Sequence, residues 1–100
     1  MEEFDYYNNL YLIYSDFLTD SQRDLFNLYY GENLSMQEIA DNKKVSKSFV
    51  GKSIKDSEIK LNELENNLHL FKIKNELIKD LEKDDILEIK KNIKNIIEEL

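Results

Sequence analysis

The chain has 100 residues, enough for one small domain or a domain with an appendage. It has no proline and two glycines, and 35% of its residues are charged, a composition that favours helices over a turn-rich β fold. Cysteine is absent, which excludes disulfides and thiolate metal sites. The N-terminus is acidic, unlike a signal peptide, and no apolar run approaches the roughly 20 residues of a membrane span. We therefore expect a soluble, cytoplasmic protein without a membrane partner.

The net charge is −7, which argues against a protein that binds nucleic acid over its whole surface. This charge is unevenly distributed, with net values of −6 in residues 1–33, +2 in residues 34–57 and −3 in residues 58–100. The middle segment is the only basic part of the sequence. If a nucleic-acid duplex binds the chain, we expect it to bind there.

The first stretch, from Glu2 to Leu18, predicts an amphipathic helix. Its apolar residues recur at three- and four-residue spacing and form one stripe, which consists of Tyr7, Leu10, Tyr11, Tyr14, Phe17 and Leu18. The tyrosines fit the edge of a core, where each ring is covered and each O–H reaches water.

A second helix is predicted from Thr19 to about Tyr30. Thr19 and Gln22 have the spacing of a capping box, in which each side chain bonds the backbone N–H of the other residue. We expect Gly31 to end the helix. The side chains expected to face inward are those of Leu25, Phe26, Leu28 and Tyr29.

Residues 34–57 have the pattern of a helix-turn-helix. Ser35 and Glu38 form a second capping box, and an apolar pair follows whose second member, an alanine, is small where another helix must cross closely. Ser46 caps the next helix, along which Val50 and Ile54 repeat at one-turn spacing. Such a helix can enter a DNA major groove, although many helix-turn-helix units pack only against protein.

On a helical projection, the second helix of this motif has an inward face that contains Phe49, Val50, Ser53 and Ile54. The outward face, where Gly51 also lies, is small, polar and basic. The candidate nucleic-acid-binding residues are Lys43, Lys44, Lys47, Ser48, Lys52 and Lys55. Lysine contacts phosphate or guanine, whereas Arg, Asn and Gln, which read bases with paired hydrogen bonds, are absent from this face. The other interpretation is a solvated lysine surface.

Two positions depart from the usual form of the motif. The turn contains Lys43 and Lys44, although a turn of this kind favours Gly or Asn because the backbone adopts a left-handed conformation. Gly51 weakens its helix by roughly 1 kcal/mol relative to alanine.

After Ile54 the helical pattern continues without a breaker to about Glu82. Its apolar residues follow two seven-residue series, a pattern typical of a coiled-coil seam, with Asn75 in line with the first series. A kink near Asn66 and Asn67 is the alternative to one long helix. A last helix begins at Asp85, which caps it.

We expect the last helix to fold back as a hairpin and to pair with a second chain, giving a homodimer. The residues expected at these packing or dimer contacts are Leu61, Leu64, Leu68, Phe71, Ile89, Ile93 and Ile96. The predicted architecture is all-α, with a helix-turn-helix domain in residues 1–57 and a C-terminal helical extension, which self-associates, in residues 58–100.

Catalytic and metal-binding patterns are missing from the sequence. His69 is the only histidine, and one histidine without cysteine is a poor metal ligand set. Helix capping explains the acidic cluster of Asp84, Asp85 and Glu88 better than a cation does. There is no glycine-rich phosphate loop and no nucleophile–base pattern, so we expect no enzyme, no cofactor and no metal.

The segment from Leu18 to Ala40 resembles the YlxM family of small bacterial proteins, which are similar to the DNA-reading last region, region four, of sigma factors. The residues that carry the resemblance are Leu18, Thr19, Gln22, Arg23, Leu28, Tyr29, Tyr30, Leu34, Ser35, Glu38, Ile39 and Ala40. The chain length and the segment Leu68 to Phe71 agree with it. The resemblance covers residues 5 to 80.

This resemblance implies an all-helical fold without enzymatic activity, and a role in the signal recognition particle pathway. Two hypotheses follow. The first is a regulatory module that binds DNA through the basic face. The second is an adaptor that uses the same fold to bind the protein or the RNA of the signal recognition particle.

Overall fold

A computed structural model of the protein describes residues 3–100, which form six α-helices and no strand. The predicted all-α fold is confirmed. The helices are α1 (Glu3–Tyr14), α2 (Asp20–Phe26), α3 (Met36–Lys43), α4 (Lys47–Leu68), α5 (Leu70–Leu81) and α6 (Ile86–Glu99). The chain divides into two compact units, Met1–Leu68 and His69–Leu100, which we call the N-terminal unit and the C-terminal hairpin.

The connection from α1 to α2 is fixed by the side chain of Arg23. α1 ends at Tyr14 and continues as a 3₁₀ turn, Ser15–Phe17, while the predicted start at Glu2 lies outside the described residues. The Arg23 guanidinium donates to the carbonyl oxygens of Ser15, at 3.2 Å, and Leu18, at 2.8 Å. α2 then begins with the predicted capping box of Thr19 and Gln22, which is confirmed.

The second helical segment ends in a π-helical turn, whereas the sequence predicted a regular α-helix to about Tyr30. Asn27–Gly31 form a π-helical turn, closed by a bond of 2.9 Å from the Glu32 N–H to the Asn27 carbonyl oxygen. Tyr30 of this turn is buried, whereas Leu28 and Tyr29, which were predicted to face inward, are only half-buried. The inward orientation predicted for Leu25 and Phe26 is confirmed.

Three layers of tyrosine contacts connect α1 and the π-helical turn to α4. The Tyr30 hydroxyl donates to Glu58, and burial together with this carboxylate raises the pKa of Tyr30. Asn62 bonds the hydroxyl groups of two α1 tyrosines, at positions 6 and 7, at 3.2 and 2.8 Å. The buried Tyr14 hydroxyl donates to Glu65 at 2.7 Å. These contacts hold the second half of α4 in the N-terminal unit.

The boundary between the two units lies after Leu68 in the structure, further along the chain than the boundary after residue 57 that the sequence suggested. The sequence suggested an extension from residue 58, but residues 58–68 belong to α4 and to the N-terminal unit, where Leu61 is fully buried. Of the two alternatives for the segment after Ile54, the structure has a break and not one long helix, because α4 ends at Leu68 and His69 adopts a left-handed conformation with φ of 57°. The break comes two residues after the predicted kink site. The seven-residue series consequently do not form one seam.

The residues predicted for packing or dimer contacts are divided by this break. Leu61 is in the N-terminal core, whereas Leu64 is half-buried and Leu68 exposed on the last turns of α4. In the hairpin, Phe71 and Ile96 are buried, and Ile89 is half-buried. Ile93 is 38% exposed.

The C-terminal hairpin is antiparallel and has two unlike sides. Ion pairs join Lys72 to Glu99 at 4.0 Å and Lys83 to Glu88 at 3.3 Å, which places the start of α5 beside the end of α6. The predicted cap of α6 by Asp85 is confirmed, since its carboxylate accepts two backbone N–H groups. A groove on one side is lined by the polar residues Glu76, Lys79, Lys83, Asn92, Asn95 and Glu99. On a helical projection, the other side presents the exposed residues Leu70, Leu77, Leu81, Ile86, Ile93 and Ile97, which we call the apolar face.

Candidate nucleic-acid interface

The helix-turn-helix consists of α3, the turn at residues 44–46 and the first part of α4. Ser35 and Glu38 form the predicted capping box, and the bond from the Ser35 N–H lowers the pKa of the Glu38 carboxyl group. Ile39 and Ala40 of α3 are buried, as are Val50 and Ile54 of α4. The apolar spacing that predicted the motif therefore forms its core.

The turn places a lysine where the backbone is left-handed. Lys44 has φ of 58° and ψ of 44°, and its N–H bonds the Ala40 carbonyl oxygen, which also accepts the Val45 N–H at 3.0 Å. Ser46 then caps α4 by accepting the Phe49 N–H at 3.0 Å. Strain at Lys44 is consistent with the expectation from sequence, because a side chain with a Cβ is disfavoured in this conformation.

Residues 41–49, which include the turn and the start of α4, are all exposed. This segment joins the end of one helix to the N-terminus of the next, the position from which recognition helices contact base edges. Every candidate nucleic-acid-binding residue is exposed, including Lys52 and Lys55 further along α4. Lys47 and Lys55 are eight positions apart, which corresponds to about 12 Å along the helix axis.

Two of the candidate lysines are held by carboxylates of the same chain. Lys43 is 2.6 Å from Asp24 of α2, and Lys52 is 2.8 Å from Asp56, one turn along α4. The bond to Asp56 and its negative charge raise the pKa of Lys52. Within residues 3–100, ion pairs are not observed for Lys44, Lys47 and Lys55. These three lysines provide the available positive charge of the surface.

Two residues of α4 are oriented differently from the helical projection. Phe49, predicted to face inward, is 49% exposed. Gly51, predicted to face outward, is half-buried, and a Cβ added there would lie 3.5 Å from the Met36 sulfur of α3. The projection failed because it grouped Phe49 with Val50, Ser53 and Ile54 on one face and so placed the centre of that face too close to Phe49. The buried line of α4 runs through Val50 and Ile54, and Phe49 lies about 100° from Val50 around the axis.

The part of the chain that the structure describes contains neither a metal-binding cluster nor a membrane-spanning helix. Among residues 3–100 there is no group of three or more His, Asp or Glu side chains suited to a metal ion. His69 is exposed at the break between α4 and α5. No helix in the part of the chain that the structure describes has the length and apolar character needed to cross a membrane.

Comparison with known proteins agrees with this geometry. Residues 1–100 match the model of a family described as "Putative helix-turn-helix protein, YlxM / p13 like". The UPF0122 protein of Mycoplasma capricolum is 45% identical over 71 residues, which are 71% of this chain and 62% of that protein. The UPF0122 protein of Lactococcus lactis subsp. cremoris is 37% identical over 79 residues, 76% of this chain and 71% of the relative.

A third relative, the UPF0122 protein of Limosilactobacillus reuteri, is 42% identical over 64 residues, 64% of this chain and 57% of its own length. The aligned segments thus span about three fifths to seven tenths of the relatives. The family assignment has three supports. These are the helix-turn-helix geometry, the match to the family over the whole chain and the identities to its members. The chain belongs to the YlxM-like UPF0122 family of helix-turn-helix proteins.

Proposed function

We propose that the protein is a cytoplasmic regulator that binds duplex DNA through the turn and the first turns of α4. The observation that carries this proposal is the exposed segment 41–49, which contains the N-terminus of α4 and lies within residues 34–57, whose net charge is +2 in a chain of net charge −7. Helix-turn-helix proteins place the start of their second helix in the major groove. The fold is of a non-enzymatic kind, and we propose no catalytic activity and no cofactor.

In this proposal the lysines have two roles. Lys44, Lys47 and Lys55, which have no ion pair among residues 3–100, contact phosphates and fix the position of the helix. Lys52 and Ser48 lie toward the base edges, and Asp56 restricts the side chain of Lys52. Lys43, paired with Asp24, supports the turn.

The proposal is tested by charge reversal on the two α4 lysines. The double variant Lys47→Glu and Lys55→Glu should lose duplex binding in a fluorescence anisotropy titration at low salt. The matched control reverses two exposed lysines of the C-terminal hairpin, Lys74→Glu and Lys91→Glu, which changes the net charge equally. Equal loss of binding in both double variants would show a non-specific charge effect and contradict the proposed surface.

We further propose that the C-terminal hairpin forms a homodimer through its apolar face. Six large apolar side chains are exposed on one side of a segment of only 32 residues, too few to form a stable core alone. The hairpin has eight acidic and seven basic residues, so a second copy meets little net repulsion. A dimer would also present two helix-turn-helix units to two half-sites on a duplex.

Sedimentation equilibrium tests this arrangement. The change Ile93→Glu places a charge in the apolar face and should convert the dimer to monomer, because burial of an unpaired charge is costly. Lys91→Glu, on the same helix, should leave the dimer intact. A monomeric wild-type chain at micromolar concentration, or a dimer that tolerates Ile93→Glu, would contradict the proposal.

The second candidate function is an adaptor in the signal recognition particle pathway that does not bind DNA. The observation in its favour is that two of the candidate lysines are already paired with carboxylates in a chain of net charge −7. A pull-down from the cytoplasm of the source cells, with and without nuclease, distinguishes the candidates. Capture of the particle's protein after nuclease treatment supports the adaptor, whereas capture that requires nucleic acid supports the binding module.

A further inference from the structure

An aromatic ring lies on the surface proposed to face DNA. Phe49 is the third residue of α4 and is 49% exposed, at the end of the exposed segment 41–49. A single exposed apolar side chain is common on protein surfaces and needs no explanation by itself. Its position is the informative feature, because the first residues of a recognition helix are those that reach base edges.

The neighbouring side chains leave little other means of base recognition. From position 47 to position 61, α4 contains no Arg, Asn or Gln, the residues that read guanine or adenine with paired hydrogen bonds. Ser48 bonds any base, and Lys52 is one cation held by Asp56. The major groove presents one apolar group, the 5-methyl of thymine, and aromatic side chains contact it.

We propose that Phe49 is a specificity residue that recognises the 5-methyl group of thymine in the major groove. This inference rests on the proposed function. On α4, Phe49 and Lys52 are separated by about 4.5 Å along the axis and about 60° around it. Phe49 and Lys52 therefore lie one turn apart on the same side of α4, and the thymine that Phe49 contacts lies close to the bases within reach of Lys52.

The same helix provides a matched control. Ile59 is 47% exposed, almost the same fraction as Phe49, but it lies ten residues further along α4, about 15 Å from Phe49 along the axis. It is therefore equivalent in exposure and remote from the N-terminal end of the helix. A general effect of exposed apolar surface would appear at both positions, whereas methyl recognition would appear only at Phe49.

The experiment removes the methyl group from the DNA. A preferred duplex is first obtained from a pool of random sequences by repeated selection on the full-length protein. Its thymines are then replaced one at a time by deoxyuracil, which lacks only the methyl group. At one thymine the affinity of the wild-type chain should fall about fourfold, the effect of one buried methyl. Phe49→Ala should bind both duplexes equally, and Ile59→Ala should keep the fourfold difference.

Each contrary result has a separate meaning. If no duplex binds at low salt, the proposed DNA-binding function itself fails. If duplexes bind but no sequence is enriched, or if every deoxyuracil duplex binds as well as its thymine parent, Phe49 does not read the methyl and only the inference is overturned. It is equally overturned if Phe49→Ala keeps the fourfold difference, since another residue then makes the contact.

Discussion

The N-terminal unit and the C-terminal hairpin bury their apolar side chains to very different extents. Of the described residues, eleven apolar side chains are buried in the N-terminal unit and only two, Phe71 and Ile96, in the hairpin. The N-terminal unit has a net charge of −6, from thirteen acidic and seven basic residues, whereas the hairpin has −1. The N-terminal unit therefore has a buried core, whereas most of the large apolar side chains of the hairpin are exposed.

The two units accordingly differ in the role that we propose for each, DNA binding for the N-terminal unit and association for the hairpin. In the N-terminal unit, buried polar contacts such as that of Tyr14 with Glu65 fix α4, so that its other end holds the basic surface in place. In the hairpin, the apolar face is available for association.

The largest effect is expected from cavities in the two units. Leu61→Ala should lower the free energy of unfolding by about 2–5 kcal/mol, because Leu61 is fully buried and its neighbours cannot fill the space. Ile93→Ala should have a smaller effect, and one that depends on protein concentration if the hairpin dimerises. Urea unfolding at two concentrations measures both. Equal effects of the two changes at every concentration would contradict the comparison.

The next effect concerns the buried polar contact of α1 with α4. Tyr14→Phe removes a donor from a buried carboxylate and should destabilise the protein by about 1.5–3 kcal/mol. Tyr11→Phe is the matched control, since the Tyr11 hydroxyl accepts an exposed bond from Asn27, and it should change stability by less than about 0.5 kcal/mol. Thermal unfolding followed by circular dichroism compares them. A neutral Tyr14→Phe would show that packing alone holds α4.

A third prediction concerns the strained turn. Lys44→Gly should stabilise the N-terminal unit by about 1 kcal/mol, because glycine adopts the left-handed conformation without a Cβ clash. Lys43→Gly, at the adjacent helical position, should instead destabilise it, since glycine weakens a helix and the ion pair with Asp24 is lost. The stability of each variant is measured from the midpoint of its denaturant unfolding curve. A destabilising Lys44→Gly would mean that the turn has another conformation.

The smallest effect is expected at Gly51. Alanine there adds a methyl group at an ordinary contact distance of 3.5 Å from the Met36 sulfur, so Gly51→Ala should stabilise α4 by about 0.5–1 kcal/mol. The same denaturant titration detects it. Destabilisation would show that α3 and α4 lie closer together than the structure indicates.

Local sequence signals predicted local structure well. The caps at Thr19, Ser35 and Asp85 were all predicted, because each depends on two or three residues that are near in sequence. The spacing of apolar residues in the helix-turn-helix likewise predicted its core. The candidate lysines were predicted to be exposed, and they are.

The features that the sequence did not predict depend on the rest of the fold. The break at His69 has no proline or glycine to mark it, and the π-helical turn is associated with burial of Tyr30 against α1 and α4. The orientation of Phe49 was missed because the angles of a single helix do not show where its buried line lies, and that line runs through Val50 and Ile54. The ion pair of Lys43 with Asp24 joins α3 to α2, a pairing that spacing along one helix cannot reveal.

The central claim is that Lys44, Lys47 and Lys55, for which no ion pair is observed within residues 3–100, contact the phosphates of a duplex. The most direct measurement is the dependence of duplex affinity on salt concentration. Three phosphate contacts by Lys44, Lys47 and Lys55 predict a log–log slope of about −2.7 for each protein chain on B-DNA. Undetectable binding at about 50 mM salt, where phosphate contacts are strongest, or a slope near zero would contradict the account.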